Sequence, residues 1–162
     1  MVDVELVRLA RQGDRDAFGT LVQLYAGQAR RVCLAILANP DDADDAAQDG
    51  FLNALENIAK YDPARPFGPW LLRIVANAAR DLLRRRNVRV AAELDDRHPG
   101  DEVGPHRAAE QSDLRGALGH AMVKLSERQR VALVLFEVEG FSHREIANIL
   151  QIPVGTARSE VH

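Results

Sequence analysis

The side chains that could do chemistry in this chain are charged groups gathered in blocks. The 5 histidines are scattered along the sequence, and none stands beside a nucleophile in a recognisable catalytic motif. Neither a glycine-rich phosphate loop nor a Cys/His cluster with zinc spacing occurs. We therefore predict that the chain is not an enzyme and that it holds no metal and no cofactor.

The first charged block is acidic and contains no basic residue. Its members are Asp41, Asp42, Asp44, Asp45 and Asp49. Their spacing lacks the pattern of a calcium-binding EF-hand loop. They stand in the first turns of a predicted helix, where the helix dipole stabilises negative charge. This block is typical of a surface that binds a basic protein partner, although a solvated helix face would look the same.

The second block is basic and follows a group of aromatic residues. Its arginines are Arg73, Arg80, Arg84, Arg85, Arg86 and Arg89, interrupted by Asp81. Tyr61, Phe67 and Trp70 come just before them. Aromatic rings can stack on exposed bases while arginines follow the phosphates, so the pattern predicts a surface for single-stranded nucleic acid. Trp70 could instead fill the core, and both can hold because one ring has two faces.

A helix-turn-helix pattern follows near the end of the printed sequence. Ser126 with Gln129, and Ser142 with Glu145, have the spacing of two capping boxes. Pro153 and Gly155 are predicted to break the chain before a last helix that starts near Thr156. In DNA-binding proteins with this motif the last helix enters the major groove. Here it is short and carries Glu160, so we expect a weakened contact with duplex DNA.

The elements that position these blocks are predicted to be helices throughout, because apolar residues recur at helical spacing. Asp14 is predicted to cap the second helix, and Asn39-Pro40 to end it. The third helix is predicted to start at Asp41 or Asp42. The fourth is predicted from about Trp70 to Arg86, with Pro69 at its first position. Gly50 is expected to lower the stability of the third helix by up to ~1 kcal/mol.

The predicted organisation is all-α, with two small helical domains joined by a flexible linker. The boundaries are residues 1–90 for the first domain, 91–110 for an acidic linker and 111–162 for the second. A hydrophobic content of 46% suffices for a packed core, and a net charge of −3 argues against an indiscriminate nucleic-acid coat. With one cysteine, Cys33, and no apolar run near the ~20 residues of a membrane span, we expect a cytoplasmic protein without membrane insertion.

Several segments, in order along the chain, resemble the extracytoplasmic-function (ECF) group of bacterial sigma factors of the sigma-70 family. In the first half they are residues 11–14 with 17–18, residues 42–49 with 51–52, and residues 65–74 with Asn77, Asp81 and Arg84. In the second half they are residues 125–130, 139–142 and 153–156. The likeness extends over essentially the whole chain.

The resemblance implies a sigma domain 2, a linker and a sigma domain 4, together with a set of partners. The acidic helix would bind the β′ clamp helices of the RNA polymerase core through Asp41, Asp42, Asp45, Gln48, Asp49 and Leu52. Minus-10 promoter DNA would be melted and read by Tyr61, Arg65, Phe67, Trp70, Arg73, Asn77, Arg80 and Arg84. The helix-turn-helix would sit on the β flap and read the minus-35 element through Ser142, Thr156, Arg158 and Ser159. An anti-sigma factor is the expected regulator.

Two other functions remain open at this point. A sigma-like regulatory protein would bind an anti-sigma factor or the polymerase core without reading the minus-35 element, which would agree with the short last helix. An autonomous helix-turn-helix repressor would bind duplex DNA without polymerase. The arginines from Arg73 to Arg84 argue against the first alternative, and the acidic third helix argues against the second.

Overall fold

The computed structural model describes residues 2–95 and 119–162, and every regular element in these two ranges is helical. The first range forms a bundle of four long helices and a short 3-10 turn. Its elements are α1 (Val2–Arg11), α2 (Arg15–Leu37), α3 (Pro40–Asn57), the 3-10 turn (Ile58–Lys60) and α4 (Phe67–Asp95). Most of the predicted linker and the start of the predicted second domain lie outside the described residues.

The second range contains the predicted helix-turn-helix. A helical segment at residues 119–123 is followed by α5 (Glu127–Leu133), a π-helical turn (Val134–Val138), α6 (His143–Leu150) and α7 (Val154–Val161). Both predicted capping boxes are confirmed. The Ser126 backbone N–H donates to Gln129 Oε1 at 3.0 Å, and the Ser142 N–H donates to Glu145 Oε2 at 2.8 Å.

Local side chains also set the starts of α2 and α3. The Asp14 carboxylate accepts a hydrogen bond from the Ala17 N–H at 3.0 Å, so the predicted cap of α2 is confirmed. The prediction that α3 starts at Asp41 or Asp42 was wrong, because Asn39 is the cap and Pro40 is the first helical residue. The Asn39 side chain accepts from the Asp42 N–H at 3.0 Å. Proline suits that first position because its missing N–H would have had no helical partner.

The fourth helix is longer than predicted at both ends. It begins at Phe67, and Pro69 is tolerated because the first turn of a helix has no internal acceptor for its N–H groups. It continues to Asp95, and its residues 87–95 are all exposed. Because residues 87–95 bury no side chain, they need no apolar periodicity, and their sequence is therefore like that of a linker. Gly155 was likewise wrongly predicted as a breaker, since it lies in the first turn of α7.

Gly50 places α3 directly against α4. A Cβ atom at this position would lie 2.8 Å from Val75 Cα, which is closer than real side chains approach a backbone. Glycine therefore permits the two helices to pack at a distance that no other residue allows. The helix stability lost at Gly50 is repaid by close packing between the two helices that carry the charged blocks.

The two ranges pack against one another. Buried residues of the first bundle, such as Leu72 and Val75, belong to the same continuous core as Leu135 and Ile149 of the second. In this packing α5 lies against α2, and α6 lies against α4. The tertiary structure therefore brings the helix-turn-helix onto the helix that carries the arginines.

Candidate nucleic-acid and polymerase interface

Arg73, Asn77, Arg80 and Arg84 occur at helical spacing on α4 and form one side of it, here named the arginine face. Asn77 and Arg84 are exposed, whereas Arg73 and Arg80 are half-buried. Arg84 pairs with Asp81 of its own helix. Arg80 Nε donates to Glu127 Oε1 of α5 at 3.0 Å. The helix-turn-helix thus already contacts one member of the predicted minus-10 surface.

The aromatic residues before this face form a packed cluster. Tyr61 and Phe67 are buried, their ring centres are 5.5 Å apart, and Tyr25 adds a third ring 5.6 Å from Phe67. The Tyr61 hydroxyl donates to the Arg65 carbonyl, and burial raises the pKa of Tyr61. Tyr61 and Phe67 are each only 6% exposed, and that small exposed surface borders a cleft of about 600 Å³ that Tyr25, Arg65 and Pro66 also line.

Trp70 is half-buried and is the member of this cluster that reaches the arginine face. Its ring centre lies 5.1 Å from that of Tyr61 and 5.5 Å from that of Phe67. Its other side lines a cleft of about 340 Å³ between α4 and α6. The lining residues of that cleft are Arg65, Pro66, Pro69, Trp70, Arg73, Arg144, Glu145 and Asn148. Trp70 therefore packs in the core on one side and faces a cleft on the other.

The predicted polymerase-binding residues form one exposed side of α3, here named the acidic face. Asp41, Asp45, Gln48, Asp49 and Leu52 are exposed, and Leu52 keeps 53% of its surface open. Asp42 is half-buried because its carboxylate accepts a hydrogen bond from Arg86 Nη1 at 2.8 Å. Asp44 pairs with Arg30 of α2 at 2.7 Å. An acidic rim with an exposed leucine is a surface that can bind a basic partner with some apolar contact.

The arginine block divides between the two faces, which the sequence pattern did not indicate. Arg85, Arg86 and Arg89 line a cleft of about 530 Å³ together with Asp42, Asp45, Gln48 and Asp49. These three arginines therefore lie beside the acidic face, whereas Arg73 and Arg80 lie away from it. Arg84 is at the boundary, because it borders a second cleft of about 910 Å³ together with Asp49, Leu52, Arg85 and Arg89. A helical wheel of α4 separates the two sets, but the packing of α3 beside α4 decides which set meets the aspartates.

The predicted minus-35 residues lie in α6, α7 and their caps. Ser142 accepts from the Glu145 N–H at 3.3 Å and donates to the Glu145 carboxylate at 2.7 Å, so its hydroxyl is occupied by the cap. Thr156 is half-buried, whereas Arg158 and Ser159 are exposed. Glu160 lies 3.8 Å from Arg128. The negative charge of the Glu160 carboxylate is therefore partly neutralised by Arg128.

Within the residues that the structure describes, long-range polar contacts join the helix-turn-helix to the first bundle. They are Arg80 to Glu127, Arg31 to Glu139, and Arg130 to the Ala35 carbonyl. Sequence reasoning missed all of them, because pairs so distant along the chain leave no local signal. The hydrogen bonds that Arg31 donates to the Glu139 carboxylate raise the pKa of Arg31.

Cys33, the single cysteine, is fully buried in α2. Burial raises the pKa of its thiol to about 12, with a smaller contribution from the negative charge of Asp44. The prediction that this residue is core rather than reactive agrees with its position. Within residues 2–95 and 119–162, no cluster of His, Cys, Asp and Glu could hold a metal ion.

Comparison with known proteins identifies the family. The profile of sigma-70 region 2 matches residues 21–89, and that of sigma-70 region 4 matches residues 115–162. The ECF RNA polymerase sigma factor SigW of Bacillus subtilis is 31% identical over 96% of this chain and 89% of its own length. The chain belongs to the ECF group of the sigma-70 family. The RNA polymerase sigma factor CarQ of Myxococcus xanthus is 36% identical over 94% of this chain and 87% of the relative.

Solved structures of sigma factors share the fold of this ECF chain. CnrH, solved in complex with the cytosolic domain of CnrY, superposes with a TM-score of 0.72 at 28% identity, covering 99% of this chain and 90% of CnrH. The sigma factor RpoE of Bartonella quintana, solved with the anti-sigma factor NepR, gives a TM-score of 0.67 at 26% identity over 89% of each chain. The region 2 match spans both the acidic face and the arginine face. None of the helices described is long and apolar enough to cross a membrane.

Proposed function

We propose that this ECF sigma factor directs RNA polymerase to specific promoters through three surfaces with separate partners. The acidic face of α3 binds the polymerase core, the arginine face of α4 takes the opened minus-10 strand, and α7 reads the minus-35 element. An anti-sigma factor regulates the process. The observation that carries the proposal is the placement of an open acidic face and an aromatic-tipped arginine face on neighbouring helices of one bundle.

The acidic face suits the β′ clamp helices of the core because it is exposed and predominantly anionic. Asp45, Gln48 and Asp49 are free at the surface, and Leu52 adds apolar area beside them. Asp42 is paired with Arg86, so its negative charge is partly neutralised and less available to a partner protein. Opposite charges across such an interface speed association and fix its register.

The arginine face suits a single strand because it combines cations with one accessible ring. Trp70 has a side turned to the cleft, and Arg73, Arg80 and Arg84 continue along α4 from it. Stacking of one base on an aromatic ring contributes about 1–3 kcal/mol, enough to offset part of the cost of opening a base pair. The rings of Tyr61 and Phe67 pack against Trp70, and Arg65 lines the same cleft as Trp70.

The helix-turn-helix supplies the minus-35 contact and the β flap contact in this proposal. Arg158 and Ser159 are the exposed side chains that α7 offers to DNA, and Thr156 lies beside them half-buried. Ser142 acts through the α6 cap. The protein works beside the chromosome in the cytoplasm, and as a specificity subunit it catalyses no reaction of its own.

One experiment separates this function from its alternatives. Purified core polymerase is combined with the full chain and a library of promoter fragments, and transcripts are sequenced. Promoter-dependent transcripts support a sigma factor. Binding to the core or to an anti-sigma factor without transcripts supports the sigma-like regulator, and duplex binding without polymerase supports a repressor.

A further inference from the structure

We propose that the cleft between α4 and α6 is a binding site for a free nucleoside di- or triphosphate. Trp70 stacks on the base, and the arginines that line the cleft bind the phosphates. The cleft has a volume of about 340 Å³, which lies within the range of small-molecule sites. The inference goes beyond the proposed function, because this ligand is a small molecule and one wall of its site belongs to the helix-turn-helix.

The lining of this cleft is strongly cationic. Arg65, Arg73 and Arg144 supply three guanidinium groups, whereas Glu145 supplies the only carboxylate among the described lining residues. That carboxylate is already engaged, because its Oε2 accepts from the Ser142 N–H at 2.8 Å and from the Ser142 hydroxyl at 2.7 Å. The cleft therefore carries an excess of positive charge that an anionic ligand would neutralise.

Two of these arginines are unpaired, one on each wall of the cleft. Within residues 2–95 and 119–162, neither Arg73 nor Arg144 has an ion-pair partner. Arg80, Arg84 and Arg86 of the same helix as Arg73 each pair with a carboxylate. Arg73 is half-buried, so its charge has lost part of its hydration without gaining an anion. Planar guanidinium groups bind phosphate oxygens through parallel N–H bonds, which suits this pair of walls to a phosphate chain.

Trp70 provides the surface for the base. The rings of Tyr61 and Phe67 pack against it, with centres 5.1 and 5.5 Å away, so the indole is held in place while its remaining side lines the cleft. Every nucleic-acid base has a π face that can stack on such a ring. Asn148 is exposed on the opposite wall, and its amide can both donate to and accept from the edge of a base.

A nucleotide could also reach this cleft as part of a DNA strand, because Trp70 and Arg73 belong to the proposed minus-10 surface. Arg144 and Asn148 distinguish the two sources. Both lie on α6, outside the set of residues proposed to read minus-10 DNA. A free nucleotide uses both walls of the cleft, whereas the proposed strand contacts use only α4 and the loop before it.

The test uses the fluorescence of Trp70, which is the single tryptophan of the chain and therefore reports directly on the cleft. The full chain is titrated with ADP and with GDP, and binding is measured in parallel by calorimetry. Adenosine and inorganic pyrophosphate test the base and the phosphates separately. A pool of short single-stranded oligonucleotides of random sequence tests the DNA strand as the source.

The variants change the α6 wall. Arg144→Gln and Asn148→Ala are made at exposed positions, so neither should disturb the fold. Arg128→Gln is the matched control for Arg144→Gln, because Arg128 is an exposed arginine of the same unit that does not line this cleft. Thermal melting of each variant verifies that it is folded.

We expect ADP or GDP to quench Trp70 fluorescence and to bind about tenfold more tightly than pyrophosphate, with adenosine weaker than either nucleotide. Arg144→Gln should weaken nucleotide binding by about tenfold and Asn148→Ala by about threefold, whereas Arg128→Gln should change it by less than about twofold.

Three results would overturn the proposal. Quenching by the oligonucleotides alone, with neither nucleotide bound, would assign the cleft to the DNA strand. Equal binding of pyrophosphate and the nucleotides would show that the base contributes nothing. Equal effects of Arg144→Gln and Arg128→Gln would show that net charge, and not this cleft, attracts the ligand.

Discussion

The acidic face and the arginine face lie on neighbouring helices of one bundle, yet they differ in how accessible the tertiary structure leaves them. The acidic face of α3 is open along Asp45, Gln48 and Asp49. The arginine face of α4 is partly closed, with Arg80 bound to Glu127 and Trp70 facing α6. The difference means that in this packing the acidic face is open to a macromolecular partner, whereas Arg80 and Trp70 of the arginine face already adjoin the helix-turn-helix.

The acidic face and the arginine face are held beside one another by the close spacing of α3 and α4. Of all the substitutions, Gly50→Ala is expected to change the stability of this arrangement most. The added Cβ would lie 2.8 Å from Val75 Cα, so the helices must move apart. We expect the free energy of unfolding to fall by about 1–3 kcal/mol, despite the better helix propensity of alanine. Urea denaturation followed by circular dichroism measures this.

Gly19→Ala is the matched control for that prediction. Gly19 also lies within a helix, but a Cβ there would meet nothing within 4 Å. Alanine should therefore stabilise the protein by about 0.5–1 kcal/mol. Equal effects of the two substitutions would show that α3 and α4 are not held together at Gly50.

Removing the centre of the acidic face should weaken polymerase binding. For the combined Asp45→Ala and Gln48→Ala variant we expect core affinity to fall by about tenfold, which corresponds to ~1.4 kcal/mol. Oligonucleotide binding by the free chain should not decrease. Fluorescence anisotropy with purified core measures the affinity.

Asp16→Ala serves as its control, because Asp16 is an exposed aspartate in the first turn of another helix, α2. An unchanged core affinity for the combined variant would remove α3 from the interface. An equal loss for Asp16→Ala would show that net charge, and not the acidic face, governs binding.

Changing the exposed end of the arginine face should alter the salt dependence of promoter opening. Each lost phosphate contact lowers the slope of log affinity against log salt concentration by about 1, so Arg84→Ala should flatten it by that amount. Core binding should be unaffected. Open-complex formation at several potassium chloride concentrations measures the slope.

Substitution of Arg89 by alanine tests whether the arginine block is divided between two faces. Arg89 lines the cleft beside Asp45 and Asp49, so Arg89→Ala should leave the salt slope of promoter opening unchanged. A slope change equal to that of Arg84→Ala would show that the whole block, and not one face of it, contacts DNA.

The smallest expected effect concerns Cys33, which lies beneath the acidic block. Its pKa is raised to about 12, above the ~8.5 of a free thiol, so folding favours the protonated form. This contribution to stability is complete below about pH 8.5 and is lost as the pH rises toward 12. Unfolding measured from pH 7 to pH 10 should therefore show the advantage of the wild type over Cys33→Ala shrinking above pH 8.5.

Asp44→Asn sharpens this prediction, because the negative charge of Asp44 contributes to the raised pKa of Cys33. Removing that charge should make the thiol slightly more reactive toward iodoacetamide. An unchanged rate would mean that burial alone accounts for the raised pKa.

Several features of the fold were predictable because their causes are local. The caps at Asp14, Ser126 and Ser142 each join residues within one turn, so the spacing of these residues in the sequence predicts the hydrogen bond. The extension of α4 to Asp95 was missed for the opposite reason. Apolar periodicity reports which side of a helix is buried, and residues 87–95 bury none.

The candidate site was predictable in composition but not in accessibility. The sequence indicated that Tyr61, Phe67 and Trp70 belong together with the arginines; the structure packs the three rings together and places Trp70 beside Arg73. It did not indicate that the first two rings would be buried. Burial depends on the helices that surround the loop, including Tyr25 of α2, and no short pattern contains that information.

The sequence by itself determined that this protein is helical, where α2, α5 and α6 begin, and which stretches are anionic or cationic. These properties follow from neighbours along the chain and from residue type. Only the tertiary structure decided which opposite charges meet, such as Arg80 with Glu127, and that Arg86 joins Asp42 instead of the DNA face. Such pairs depend on how whole helices pack, because two residues so far apart along the chain become neighbours only after the bundle has closed.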